Sequence, residues 1–145
     1  MKYILCFLFL ISTSSGYTQN WNANFEEAKV KAVKENKNIL LVFSGSDWCG
    51  PCIKLEKVVW KSPEFKVEAD KNWVIYRADF PNKRKNQLPP YLVESNNKLA
   101  EKYNKKGSFP LVLLLDPKGK VIGMTGFKNV SAQDYIKLIH SFEKP

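Results

Sequence analysis

The chain has 145 residues, 44% of them hydrophobic and 13% aromatic, which is apolar material for one packed domain. Lys and Arg number 23 against 14 Asp and Glu, so the net charge is +9, a balance that favours acidic partners or anionic surfaces. The cations are spread along the chain apart from short clusters at Lys83-Arg84-Lys85 and Lys105-Lys106, and no nucleic-acid motif accompanies them. They are taken as solvated surface charge, and nucleic acid is excluded as a partner.

In chain order, Lys2 and the apolar run at residues 3–11 precede the small polar stretch Ser12-Thr13-Ser14-Ser15-Gly16. That pattern predicts a secretory signal peptide over residues 1–18, with cleavage after Gly16 or Thr18. The run falls far short of the ~20 residues that span a bilayer as a helix. Cys6 leaves with the signal, and residues 19–145 form the exported domain, expected to be a periplasmic monomer.

Asn24 can cap a first helix whose Phe25, Ala28, Ala32 and Val33 share one face. The helix is expected to stop near residues 36–38, where the apolar run at residues 39–43 begins. A run without alternation, closed by Ser44-Gly45-Ser46-Asp47, predicts a strand buried on both faces. Trp48-Cys49-Gly50-Pro51-Cys52 follows directly. Pro51 suits a first helical turn, and Ile53, Leu55, Val58, Val59 and Trp60 continue a helix until Ser62-Pro63 interrupts it. Residues 73–79 predict a second strand parallel to the first, with a crossover helix between them. A basic, proline-punctuated loop at 81–90 leads to a helix over 91–103. Residues 111–115 and 120–126, joined by Asp116-Pro117-Lys118-Gly119, predict a β-hairpin. Ser131 and Asp134 start a last helix with Tyr135, Leu138, Ile139 and Phe142 as its apolar stripe.

Without Cys6, two cysteines remain, in a compartment where thiols are not automatically kept reduced. A disulfide across two intervening residues closes so short a loop that it removes little entropy from the unfolded chain, so a structural role contributes little. Chemistry explains the pair better. Disulfide exchange needs a reachable thiolate, and a helix amino terminus supplies unpaired N–H groups and the positive end of the helix dipole. Cys49 takes that position as the candidate nucleophile, and Cys52, one turn deeper, resolves the mixed disulfide. Gly50 and Pro51 shape the connection, and Trp48 lines the partner-binding surface. A structural zinc site fails on counting, because no second cysteine pair follows and the single histidine, His140, sits in the last helix as a surface residue. No metal, and no cofactor beyond the Cys49–Cys52 disulfide itself, is expected.

These residues resemble the thioredoxin family, and in particular its exported single-domain bacterial members. The likeness is carried by the strand at residues 40–43, the Trp48 to Cys52 motif, Gly107-Ser108-Phe109-Pro110 before the hairpin, and Gly126 after it. It implies an α/β thioredoxin-like fold, a mixed four-stranded sheet flanked by helices in the order αβαβαββα. It also implies a cis peptide at Phe109–Pro110 beside the cysteines, disulfide-containing or dithiol client proteins, and a membrane-bound redox partner. There are three departures. Many thioredoxins hold a buried aspartate six residues before the first cysteine, and Phe43 stands there; Glu56, one turn beyond Cys52, is the candidate substitute proton relay. No clear strand precedes the first helix. The 81–90 loop and its helix exceed the compact form, and such insertions carry partner specificity.

Three readings stay open. A reductase is favoured because Gly-Pro between the cysteines is typical of reducing family members. An oxidase or isomerase uses the same chemistry at a different redox potential, and a thioredoxin-fold binding module would leave the cysteines idle.

Overall fold

A computed structural model describes residues 20–143. The predicted signal peptide at residues 1–18, its cleavage positions and Cys6 lie outside the described residues. The elements are α1 (Phe25–Glu35), β1 (Asn38–Ser44), α2 (Gly50–Leu55) running on into a π-helical turn (Glu56–Trp60), α3 (Pro63–Asn72), β2 (Trp73–Asp79), a 3-10 turn (Arg84–Asn86), α4 (Pro90–Tyr103), β3 (Leu111–Leu115), β4 (Val121–Thr125) and α5 (Ala132–Ser141).

The strands form one sheet in the order β2-β1-β3-β4. β1 and β2 run parallel, with Leu41 opposite Tyr76, while β3 runs antiparallel to both β1 and β4. This is the mixed four-stranded sheet expected from the sequence. The carboxyl ends of β1, β2 and β4 and the amino end of β3 therefore meet at one end of the molecule.

The unbroken apolar run in β1 follows from its central place. Successive strand side chains point to opposite faces, so Ile39, Leu41 and Phe43 join α1 and α4 through Phe25, Ala28, Ala32 and Leu99. Leu40 and Val42 join the other layer, built from Leu55, Val59, Trp60, Phe65, Ala69, Tyr135 and Ile139. Both faces are covered, and every residue from Ile39 to Phe43 is buried.

Local signals set the helix ends. Asn24 Oδ1 accepts from the Glu27 N–H at 2.9 Å, and Asn36 closes α1 in the left-handed conformation at φ 51°. Ser131 Oγ accepts from the Asp134 N–H at 3.1 Å and starts α5. α4 is held to the sheet by the buried Asn96, which accepts from Tyr76 Oη at 2.7 Å and donates to the Asp79 carbonyl at 3.0 Å. Burial pushes the Tyr76 pKa up to about 12, with a smaller push from Tyr91.

Three expectations need correction. Val33 was placed on the buried face of α1 but is 63% exposed, since the face formed by Phe25, Ala28 and Ala32 already covers the sheet. One helix was expected between β1 and β2, and two are present. Ser62 is an amino cap, its Oγ accepting from the Phe65 N–H at 3.1 Å, and Pro63 opens α3 rather than only closing what precedes it. The π-helical turn shifts the helical register so that Val59 and Trp60 are buried while Val58 is exposed.

His140 is the third. Instead of standing free on the surface, it ties α3 to α5 at the end of the sheet remote from the cysteines. Its Nε2 lies 2.8 Å from Glu68 Oε1, its Nδ1 lies 2.6 Å from Glu143 Oε2, and its ring stacks 4.8 Å from that of Trp73. Two carboxylates call for two N–H donors, which only the imidazolium has. Burial disfavours that charge, but hydrogen bonds to Glu143 and Glu68 outweigh it and raise the His140 pKa. Burial likewise opposes the Glu143 charge, but hydrogen bonds from Trp73, His140 and Asn38 lower its pKa.

A raised histidine pKa contributes stability that is complete below the unfolded value of about 6.5 and disappears as pH climbs through the folded value. Wild-type protein is therefore predicted to lose stability as pH rises above about 6.5 in urea titrations. A His140→Gln variant should show a flatter profile over that range, and identical profiles would contradict the assignment.

Candidate active site

β1 ends at Ser44 and α2 begins at Gly50, so the chain must turn within a few residues. Gly45 makes that turn possible. A Cβ there would lie 2.3 Å from Trp48 Cε2, so only glycine lets the indole fold back over the backbone. Trp48 Nε1 then donates to the Phe80 carbonyl at 2.7 Å, and its ring packs edge-on against Phe109 at 5.4 Å. Phe80 also packs edge-on against Phe109, at 5.4 Å, and stacks over Phe43 at 6.4 Å. Trp48, still 45% exposed, forms the outer wall of this aromatic platform.

Cys49 caps α2, with its Sγ accepting from the Cys52 N–H at 3.3 Å, and Pro51 occupies the first turn, where no N–H is needed. The two cysteines are joined as a disulfide with Cα atoms 5.2 Å apart. They are 5% and 4% exposed, while Gly50 and Pro51 between them face solvent. The Phe109–Pro110 peptide is cis, as the resemblance implied. Its approach is fixed by the buried Asn104, which donates to the Ser108 carbonyl and accepts from the Ser108 N–H, both at 2.9 Å. Gly126 passes so close that a Cβ would sit 3.3 Å from the Pro110 carbonyl oxygen.

Glu56 lies on the π-helical turn and is ion-paired with Arg77 of β2. Glu56, Arg77 and Cys52 line one cleft of ≈ 180 Å³ together with Ser44 and Ser46. The Arg77 guanidinium also stacks on Trp21, 4.4 Å from its ring centre, and its buried Nε has no hydrogen-bond partner among the described residues. The structure thus brings Cys49, Gly50, Pro51, Cys52, Trp48, Phe109 and Pro110 to one end of the sheet and gives Glu56 a shared cleft with Cys52.

Sequence reasoning missed the clamp that holds this end together. Ser46 donates through its N–H and Oγ to the Asp79 carboxylate at 2.9 and 2.6 Å. Asp47 accepts from the N–H groups of Asn82 and Lys83, each at 2.9 Å, and from Asn86 Nδ2 at 2.8 Å. The bond from the Asn82 N–H does most to hold the Asp47 pKa below the ordinary carboxylate value. An aspartate just before the motif was the available signal. Among the described residues, no group of three or more His, Cys, Asp or Glu side chains is arranged to hold a metal ion.

The family model described as Thioredoxin-like matches residues 20–117. The chain belongs to the thioredoxin-like family. It is 32% identical over 118 residues to the disulfide bond reductase DsbH of Chlamydia pneumoniae, a match covering 81% of this chain and 69% of that protein. A solved DsbH oxidoreductase structure has a TM-score of 0.80 and 31% identity, covering 86% of this chain and 84% of the other. The thioredoxin-related protein DsbJ of the same organism is 30% identical over 73% of this chain, but the match spans only 30% of DsbJ. A thioredoxin from Thermus thermophilus, at 15% identity and TM-score 0.64, shares the fold. This thioredoxin-like chain is a thiol:disulfide oxidoreductase of the DsbH and DsbJ type, with a Cys-x-x-Cys disulfide.

Gly45 and Trp48 should be energetically coupled. Gly45→Ala is predicted to destabilise the wild type by about 1–3 kcal/mol through overpacking and much less in a Trp48→Ala background, read by urea unfolding as a double-mutant cycle. Equal costs in the two backgrounds would show that the indole does not occupy this space.

Proposed function

We propose that the protein is exported and reduces disulfides in client proteins, with Cys49 as nucleophile and Cys52 as resolving thiol. The observation that carries this reading is the Cys49–Cys52 disulfide at the amino end of α2, beside the cis Phe109–Pro110 peptide. Gly-Pro between the cysteines and the similarity to a protein described as a disulfide bond reductase support the reducing direction. Lys2 and the apolar run at residues 3–11 support export. Among the described residues, no helix is long and apolar enough to cross a membrane.

In the dithiol form, the Cys49 thiolate attacks one sulfur of a client disulfide. The client S–S bond breaks, a Cys49–client bond forms, and the departing client thiolate takes up a proton. Cys52 then attacks Cys49, displacing the second client thiolate and leaving the Cys49–Cys52 disulfide; two electrons have passed to the client. The Cys52 N–H, aimed at Cys49 Sγ, and the helix terminus stabilise the attacking anion. Trp48 and Phe109 offer the client an apolar seat, and Gly50, Pro51 and Pro110 keep the surface around the sulfurs open and shaped. A membrane-bound dithiol donor returns the two electrons. Glu56, held in the Cys52 cleft by Arg77, accepts the resolving thiol's proton, a task assigned in many relatives to the aspartate that Phe43 replaces.

The test is insulin reduction driven by dithiothreitol. Wild type should accelerate it, and Cys49→Ser should lose at least about a hundredfold because no other nucleophile is in place. No acceleration by wild type would leave a binding module. The direction is read from the redox potential of the pair. A value near the about −270 mV typical of thioredoxin supports a reductase, and one near about −120 mV indicates an oxidant.

Glu56→Gln is predicted to slow resolution by roughly tenfold to a hundredfold. The Cys49–client mixed disulfide should accumulate, and the pH profile of its breakdown should move. An unchanged profile would remove Glu56 from proton transfer.

A further inference from the structure

The loops at the cysteine end of the sheet concentrate positive charge. Sheet topology brings residues 45–49, 80–89, 104–110 and 126–131 to that end. In these loops stand Lys83, Arg84, Lys85, Lys105, Lys106 and Lys128, against the single carboxylate of Asp47. All six cations are exposed, and none forms a salt bridge among the described residues. The neighbouring acids are already engaged: Asp79 by Ser46, Glu56 by Arg77, and Asp134 by Ser131 and Lys137. The opposite end is mixed in sign, with Lys37 paired to Glu35 and Asp116 close in sequence to Lys118 and Lys120.

The charge is also fixed in place. Asp47, two residues before Cys49, accepts from the backbone of Asn82 and Lys83 and from Asn86, so the basic 3-10 turn is clamped to the active-site loop. Lys105 and Lys106 precede the Asn104-braced turn that leads to Phe109 and cis Pro110. The clamped turn thus carries Lys83, Arg84 and Lys85 beside the loop that ends in Cys49, and Lys105 and Lys106 stand shortly before Phe109, whose ring packs on Trp48.

We propose that this surface selects client segments with acidic residues flanking the disulfide. The proposal rests on the oxidoreductase reading above and adds the substrate class. Opposite charge at the mouth raises the encounter rate and orients the client, and salt screens both effects. An acidic polypeptide is favoured over an anionic membrane because the basic turn is clamped to the loop that carries Trp48 and Cys49, the surface a client must touch.

The experiment mixes dithiol protein with two peptides of equal length, each holding one disulfide loop flanked by either three Glu or three Lys, and follows client reduction. The Glu peptide should react at least about tenfold faster at low ionic strength, with the ratio collapsing towards one as salt rises. In a Lys83→Glu/Arg84→Glu/Lys85→Glu variant, the ratio should fall or invert, and because it is a ratio within one variant, the folded fraction cancels. Equal rates at all ionic strengths, or a ratio untouched by the charge reversal, would overturn the proposal. Binding to phosphatidylglycerol vesicles together with equal peptide rates would overturn it too, assigning the cations to a membrane surface. If the dithiol protein reduces neither peptide nor the neutral hydroxyethyl disulfide, the oxidoreductase reading itself fails, and this proposal with it.

Discussion

The N–H of Cys52, directed at Cys49 Sγ from 3.3 Å, is the contact on which the proposed chemistry depends. It exists because a helix must begin at Gly50, and the helix begins there because β1 is committed on both faces and ends at Ser44. A strand with one exposed face could slide or fray, whereas β1 is held by β2 and β3 and by two helical layers. The redox pair thus follows a strand buried on both faces, in a loop held by contacts on either side.

Those flanking contacts converge from far along the chain. The 45–49 loop is bound to the 79–86 segment by Ser46–Asp79, Trp48–Phe80 and Asp47–Asn82. α4 holds the same segment from behind through Tyr76, Asn96 and the Asp79 carbonyl. Charge and position are linked as a result: the carboxylate that steadies the motif also anchors a basic turn beside it. The basic loop that follows β2 is therefore bound into the wall beside the cysteine pair.

Much of the fold was legible because its causes are local. Asn24, Ser131 and Pro51 mark helix starts by chemistry confined to one turn, and the apolar run of β1 reports double-sided burial directly. The cysteine pair, Trp48, Phe109 and Pro110 were legible for the same reason, as short motifs at a strand end. The failures involve competition or distance. Val33 fits the helical spacing but lies beyond a face already filled by Phe25, Ala28 and Ala32. Ser62-Pro63 carries the chemistry of a helix start as well as a stop, and α3 presents only Phe65 and Ala69 to the core, too sparse a stripe to reveal a helix. His140 and Glu68 are 72 positions apart, and nothing local marks either as the other's partner. Arg77 stands on β2, 21 positions from Glu56 on the π-helical turn, and nothing local marks either as the other's partner.

That Cys49 is the nucleophile, activated at the head of α2, is the proposal beneath the rest. Its most direct test is alkylation of the fully reduced protein by iodoacetamide at neutral pH, with each cysteine quantified by peptide mass. Modification of Cys49 at least about tenfold faster than Cys52 is the predicted result, because the amino terminus of α2 stabilises the thiolate of the first cysteine. Equal rates, or faster reaction at Cys52, would contradict the account.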